Sequence, residues 1–135
     1  MKKWTILLLT VLLLAGCTRI DQTQPDRPRV VTRIQASYHS DTIKLQRTYT
    51  DAEKMQAVLT YLRCLDVSGP AESPPADGEM PQGHVRLYYS DDTYKDYYQR
   101  SDRYLQINGG PWQNISLDRG REFPILLGLM ESDQP

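Results

Sequence analysis

Two histidines, His39 and His84, are the side chains of this 135-residue chain best suited to move a proton near neutral pH. Catalysis would need one of them beside a carboxylate, with a nucleophile in reach. His39 falls in the turn-like stretch "YHSDT" and His84 opens an alternating run, while no serine stands in a Gly-x-Ser-x-Gly setting. A cleft holding either histidine beside a carboxylate would favour an enzyme, but the spacing assembles none, so a non-enzymatic chain is expected. Asp41 after His39, and the pair Asp91-Asp92, are turn residues whose side chains normally bond their own backbone. No metal and no cofactor are expected there. Gly109-Gly110 runs into Pro111 and does not open a helix, as a phosphate-cradling loop must.

The stretch "HVRLYYSDDTYKDYYQRSDRYLQINGGPW" holds six of the nine tyrosines, and it is the one region whose chemistry rises above background. Two-residue turns at Asp91-Asp92 and Ser101-Asp102 would pair Tyr89 with Tyr94, Leu87 with Asp96, Val85 with Tyr98, and then Tyr98 with Leu105. One face would carry Val85, Leu87, Tyr89, Tyr94, Tyr98, Leu105 and Ile107 toward the core, interrupted by Asp96. The other would present His84, Gln99 and a candidate binding face of Tyr88, Tyr97, Tyr104, Arg86, Lys95 and Gln106. Those six combine flat apolar area with hydrogen-bonding tips, as interfaces do. The same cross-strand pairs also stabilise an unliganded sheet.

The elements that must position this face follow from periodicity. Val30, Thr32, Ile34, Ala36 and Tyr38 alternate with polar residues, and Ile43, Leu45 and Tyr49 resume the alternation, which predicts a hairpin with Tyr38 opposite Ile43 and Ala36 opposite Leu45. Thr50 and Glu53 form a candidate capping box for a helix with the stripe Ala52, Met55, Val58, Leu59, Leu62 and Leu65. Cys64 lies opposite that stripe, as a small hydrophobe under the following loop, or as a free thiol for an intermolecular bond or a metal. Residues 66–83, rich in proline and acid, read as a mobile loop. "NGGP" turns the chain into a last short strand with Trp112 and Ile115. A terminal helix should begin near Arg121 or Glu122, with Pro124 in its first turn. The whole predicts an α+β domain over residues 30–131: an antiparallel sheet of about five to six strands (hairpin, helix, meander, helix), with two helices on one face. Residues 132–135 would fray.

The N-terminus is a different kind of sequence. Lys2 and Lys3 precede an apolar run from Ile6 to Ala15, too short for the roughly 20 residues of a membrane-spanning helix. Charged start, apolar middle and small closing residues have the order of a secretory signal. The run ends in Leu14-Ala15-Gly16-Cys17, "LAGC", which resembles the lipobox of bacterial lipoproteins. The resemblance implies cleavage between Gly16 and Cys17, lipid on the Cys17 sulfur, and a membrane anchor facing outside the cytoplasm. Thr18, rather than aspartate, after that cysteine is compatible with an outer membrane in a two-membrane cell. Two acyl chains suffice for stable anchoring where one does not.

Removing residues 1–16 takes away Lys2 and Lys3, leaving 14 basic against 17 acidic side chains, a formal charge of −3. Such a balance gives no field to draw nucleic acid. Residues 17–29, with Pro25 and Pro28, would serve as a tether whose twelve residues after the cysteine reach about 20 Å. The sequence thus points to a lipid-anchored interaction module for an extracytoplasmic protein or envelope polymer. An inhibitor of an extracytoplasmic hydrolase, working through "INGGPW" or the proline-rich loop, is the alternative, with a small envelope enzyme behind it.

Overall fold

A computed structural model describes residues 28–76 and 82–134. The residues read as signal and lipidation site, most of those read as a tether and the centre of the proline-rich loop lie outside the described residues. Among the described residues seven strands and two helices follow one another as β1 (Val31–His39), β2 (Lys44–Tyr49), α1 (Ala52–Arg63), β3 (Val67–Pro70), β4 (Gly83–Tyr89), β5 (Tyr94–Arg100), β6 (Tyr104–Ile107), β7 (Gln113–Ile115) and α2 (Leu117–Leu129). The fold is α+β. Its one antiparallel sheet has the order β2-β1-β4-β5-β6-β7-β3. That is more strands than the five to six expected, because Val67–Pro70, read as loop, pairs with β7 at the far edge.

Both helices pack on the same face. Ile34, Ala36 and Tyr38 from β1, Val85 and Leu87 from β4, and Leu105 from β6 are buried beneath Val58 and Tyr61 of α1 and Phe123 and Leu127 of α2. The Phe123 ring stacks on Tyr61 at 5.3 Å and meets Tyr38 edge-on at 6.3 Å, so one aromatic from each layer closes the centre. The β1–β2 hairpin keeps its expected faces but slides by two: Tyr38 faces Leu45 and Ala36 faces Arg47. A two-residue slide preserves the side of every side chain. Arg47 therefore points to the helices, where its Nε donates to the Leu127 and Met130 carbonyls at the end of α2.

The helix boundaries differ from the sequence reading for identifiable reasons. Asp51, not Thr50, caps α1, accepting from the Lys54 N–H at 3.1 Å. The Thr50 and Asp51 N–H groups are held instead by the Asp133 carboxylate at 2.8 and 2.9 Å, and Lys54 Nζ reaches the same carboxylate at 2.5 Å. Ser132 Oγ accepts the Thr48 N–H and the Asp133 N–H donates to Thr48 O, so residues expected to fray run along the edge of β2. Helix α2 starts at Leu117, more than a turn before the expected Arg121, and Pro124 sits well inside it. Proline deprives the carbonyl four residues earlier of its helical donor. That carbonyl belongs to Gly120, and the buried Gln99 side chain supplies the donor from β5.

Candidate functional site

With both helices on one side, the other face of the sheet carries no helix among the described residues, and the registers place its side chains in rows across the strands. One row runs Gln46, Ser37, His84, Tyr98, Gln106. The next runs Thr48, Gln35, Arg86, Asp96, and a third runs Arg33, Tyr88, Tyr94. Each row crosses strands spaced about 4.8 Å apart, giving a regular polar lattice.

The lattice depends on a turned-over β5. Between β4 and β5 the chain uses a three-residue loop, Ser90-Asp91-Asp92: the Asp92 N–H donates to Tyr89 O, Asp92 takes φ +63°, and the Tyr89 N–H donates to Thr93 O. A turn followed by a left-handed residue is a standard hairpin solution one residue longer than the expected two. Tyr88 therefore faces Tyr94, Arg86 faces Asp96 and Val85 faces Tyr97. At the other end Ser101 and Asp102 both take positive φ, and the β5–β6 register shifts by one in the compensating sense, with Gln99 opposite Leu105 and Tyr97 opposite Ile107. Val85, Leu87, Leu105 and Ile107 thus keep their expected core face, and β5 alone is inverted.

Of the six sequence-predicted face residues, Tyr88, Arg86, Tyr104 and Gln106 stand on the helix-free face. Lys95 and Tyr97 do not. They project toward the helices, where Tyr97 packs against the core and, with Leu59 and Leu62 of α1, lines a cavity of about 250 Å³. Gln99 also turns inward, donating to Gly120 O and accepting from the Tyr61 hydroxyl at 2.9 Å. In exchange Tyr94, Tyr98 and Asp96 come to the helix-free face, and Asp96 no longer interrupts an apolar surface.

There Asp96 is the hub. Arg86 donates twice, from Nε to Oδ1 at 2.8 Å and from Nη2 to Oδ2 at 2.9 Å, and His84 Nε2 lies 2.8 Å from Oδ1. The guanidinium, before the histidine, holds the Asp96 carboxyl below the usual carboxylate range against the opposing effect of burial. The backbone beneath is tied down by Asn108, whose Oδ1 accepts the Asp96 N–H at 2.8 Å. Around this hub each ring stacks on a neighbour: His84 on Tyr98 at 4.6 Å, Arg86 on Tyr94 at 4.2 Å and Arg33 on Tyr88 at 4.0 Å. The Tyr88 hydroxyl donates to Gln35 Oε1 at 2.7 Å. Toward β2 the surface dips into a cavity of about 170 Å³ lined by Gln35, Ser37, Gln46, Thr48, His84 and Arg86.

The structure thus sets a histidine beside a carboxylate, the arrangement that would favour an enzyme. Two features weigh on it. The carboxylate is already engaged by a bidentate guanidinium, and Ser37, opposite His84 in the ladder, makes no hydrogen bond to it among the described residues. His39 lies exposed at the end of β1, away from Asp96. Cys64 ends α1, exposed, beside a cavity of about 300 Å³ between the helices lined by Tyr61, Ile125, Leu126 and Leu129. No three His, Cys, Asp or Glu side chains converge as metal ligands among the described residues. No helix among them is long and apolar enough to cross a membrane. Comparison with protein-family models, curated proteins and solved structures gives no match for the chain.

Proposed function

We propose that this chain is a lipid-anchored, extracytoplasmic, non-enzymatic interaction module whose working surface is the helix-free face of the sheet. The observation that carries the surface is the Arg33–Tyr88, Arg86–Tyr94 and His84–Tyr98 array around Asp96, none of it needed to cover the core, which closes on the opposite face. Rings and guanidinium groups fixed by their neighbours lose little side-chain entropy on binding, so such an array is pre-organised for a partner. The anchor rests on the "LAGC" motif, and the short segment between it and β1 keeps the module near the lipid surface.

Two measurements test this reading. Full-length chain grown with a labelled fatty acid should carry the label and sediment with membranes, and Cys17→Ser should lose both properties. A photo-crosslinking residue at position 94, where the native tyrosine is 56% exposed, should trap a recurrent partner on cells. The same residue at position 97, on the helix side, should not. Equal yields at both positions would remove the helix-free face as the working surface.

A hydrolytic dyad is the second reading, favoured by the His84–Asp96 contact alone. The inhibitor reading retains one concrete feature, the exposed turn at Asn108 and Gly109, both at positive φ, within "INGGPW".

A further inference from the structure

The chain as a whole carries a formal charge of −1, yet among the described residues its helix-free face carries Arg33, Lys44 and Arg86 against the carboxylate of Asp96. Both histidines stand there as well. The surface proposed above as the working one thus has a local excess of base among the described residues, and such an excess selects oppositely charged partners. Within the face the cations are not equivalent. Arg86 is committed to Asp96, whereas Arg33 has no carboxylate partner among the described residues, and its Nε is buried without a hydrogen bond. It stacks on Tyr88 with its charge unmatched.

The shape of the face separates an acidic glycan from an acidic protein. Protein interfaces gather around a desolvated apolar centre. Among the exposed large apolar side chains of the described strands, Tyr94 belongs to this face, whereas Val67 pairs with Ile115 on the other, and Ile125 and Leu129 lie on α2. The concave part is lined instead by the amides of Gln35 and Gln46, the hydroxyls of Ser37 and Thr48, an imidazole and a guanidinium. Donors and acceptors alternating in this way match vicinal hydroxyl pairs, and a guanidinium fork matches a carboxylate. A lattice that repeats at the strand spacing also suits a ligand that itself repeats.

From these features we infer that the helix-free face binds an acidic polysaccharide, laid across the strands with its hydroxyls over the Gln35–Gln46 trough and a carboxylate against Arg33. The inference rests on the working surface assigned under Proposed function and names its ligand class. It requires no chemical step.

The test measures binding of the purified full-length chain in detergent to three polymers of matched length: polygalacturonate, dextran and polyglutamate. Polygalacturonate should bind, more weakly as salt rises, and dextran and polyglutamate should not. Arg33→Gln should weaken polygalacturonate at least fivefold while moving Tm by no more than about 2 °C, and Gln46→Ala should weaken it in the same direction. Absence of polygalacturonate binding overturns the inference, as does polyglutamate binding equally well or Arg33→Gln binding like the parent. Should polygalacturonate fail while position 94 still traps a recurrent protein on cells, the ligand class falls and the interaction module stands. If position 94 traps nothing either, both fall.

Discussion

Gln99 and Gly120 are joined by a hydrogen bond that substitutes for one proline removes: Gln99 Nε2 donates at 2.8 Å to the Gly120 carbonyl, which Pro124 leaves without its helical donor. The same amide accepts from the Tyr61 hydroxyl, so one buried side chain on β5 ties α1 to α2. Burial holds the Tyr61 phenol in its neutral form, its pKa raised well above the ordinary value against the opposing effect of the bond to Gln99. Gln99→Leu should destabilise the domain by about 2–3 kcal/mol, since two buried polar groups lose their partner. Pro124→Ala restores a backbone donor for Gly120. The double variant should therefore lose less than the sum of the two single changes, a coupling that a denaturant-unfolding cycle measures.

Gly120 is constrained from its other side as well. A Cβ there would collide with the backbone of Asp102, in the turn that leads into β6. Gly120→Ala should cost at least 1–3 kcal/mol by the general scale of overpacking, about the loss for a strained core insertion. Gly128→Ala in the same helix meets nothing within 4 Å and should be neutral or mildly stabilising, which makes it the matched control in thermal melts.

Asp133 supplies a pH dependence of definite sign. Its carboxyl is held at about 2 by Lys54 first and then by the Asp51 and Thr50 N–H groups. A carboxyl whose folded pKa lies below its unfolded value of about 3.9 contributes stability that is complete above pH 4–5 and is lost as pH falls toward 2. The Tm gap between the parent and Asp133→Asn should therefore be widest near neutral pH and close on acidification. A gap independent of pH would show that the carboxylate charge is not what holds the tail.

The inverted β5 is tested by alanine substitution. Tyr97→Ala removes a ring packed on the helix side and should cost about 1–3 kcal/mol. Tyr88→Ala on the opposite face leaves the core intact and should cost less than about 1 kcal/mol, while weakening ligand binding. Equally small losses for the two would restore the register expected from two-residue turns, which put both rings on one outer face.

That register shows what was legible in the sequence and what was not. Alternation placed Val85, Leu87, Leu105 and Ile107 correctly, and the helical period placed Val58 on the buried side of α1 and Leu65, just past its end, in the core. Alternation cannot decide between a two- and a three-residue loop at "SDDT", because aspartate tolerates the left-handed conformation that the longer loop needs. One residue of loop inverted a whole strand. Asp96 was the available clue: a carboxylate on the core face had no partner, and turning β5 over brings it to Arg86 and His84, which the sequence already placed on the other face. The start of α2 was hidden by Gly120, a poor helix former retained because Asp102 approaches it. The strand Val67–Pro70 was hidden by its glycine and proline, which mark an edge strand as readily as a loop.

The way the chain enters the sheet has a mechanical side. β1 is not an edge strand: it lies between β2 and β4, six residue pairs on one side and seven on the other, and the proposed tether leads into it through Val30. A pull between the anchor and a ligand gripped on the sheet face loads β1 lengthwise. Both ladders then bear the load in shear, many bonds at once, where a strand peeled from an edge would surrender its bonds singly. A domain threaded in this manner resists extraction by a pull on its N-terminal segment.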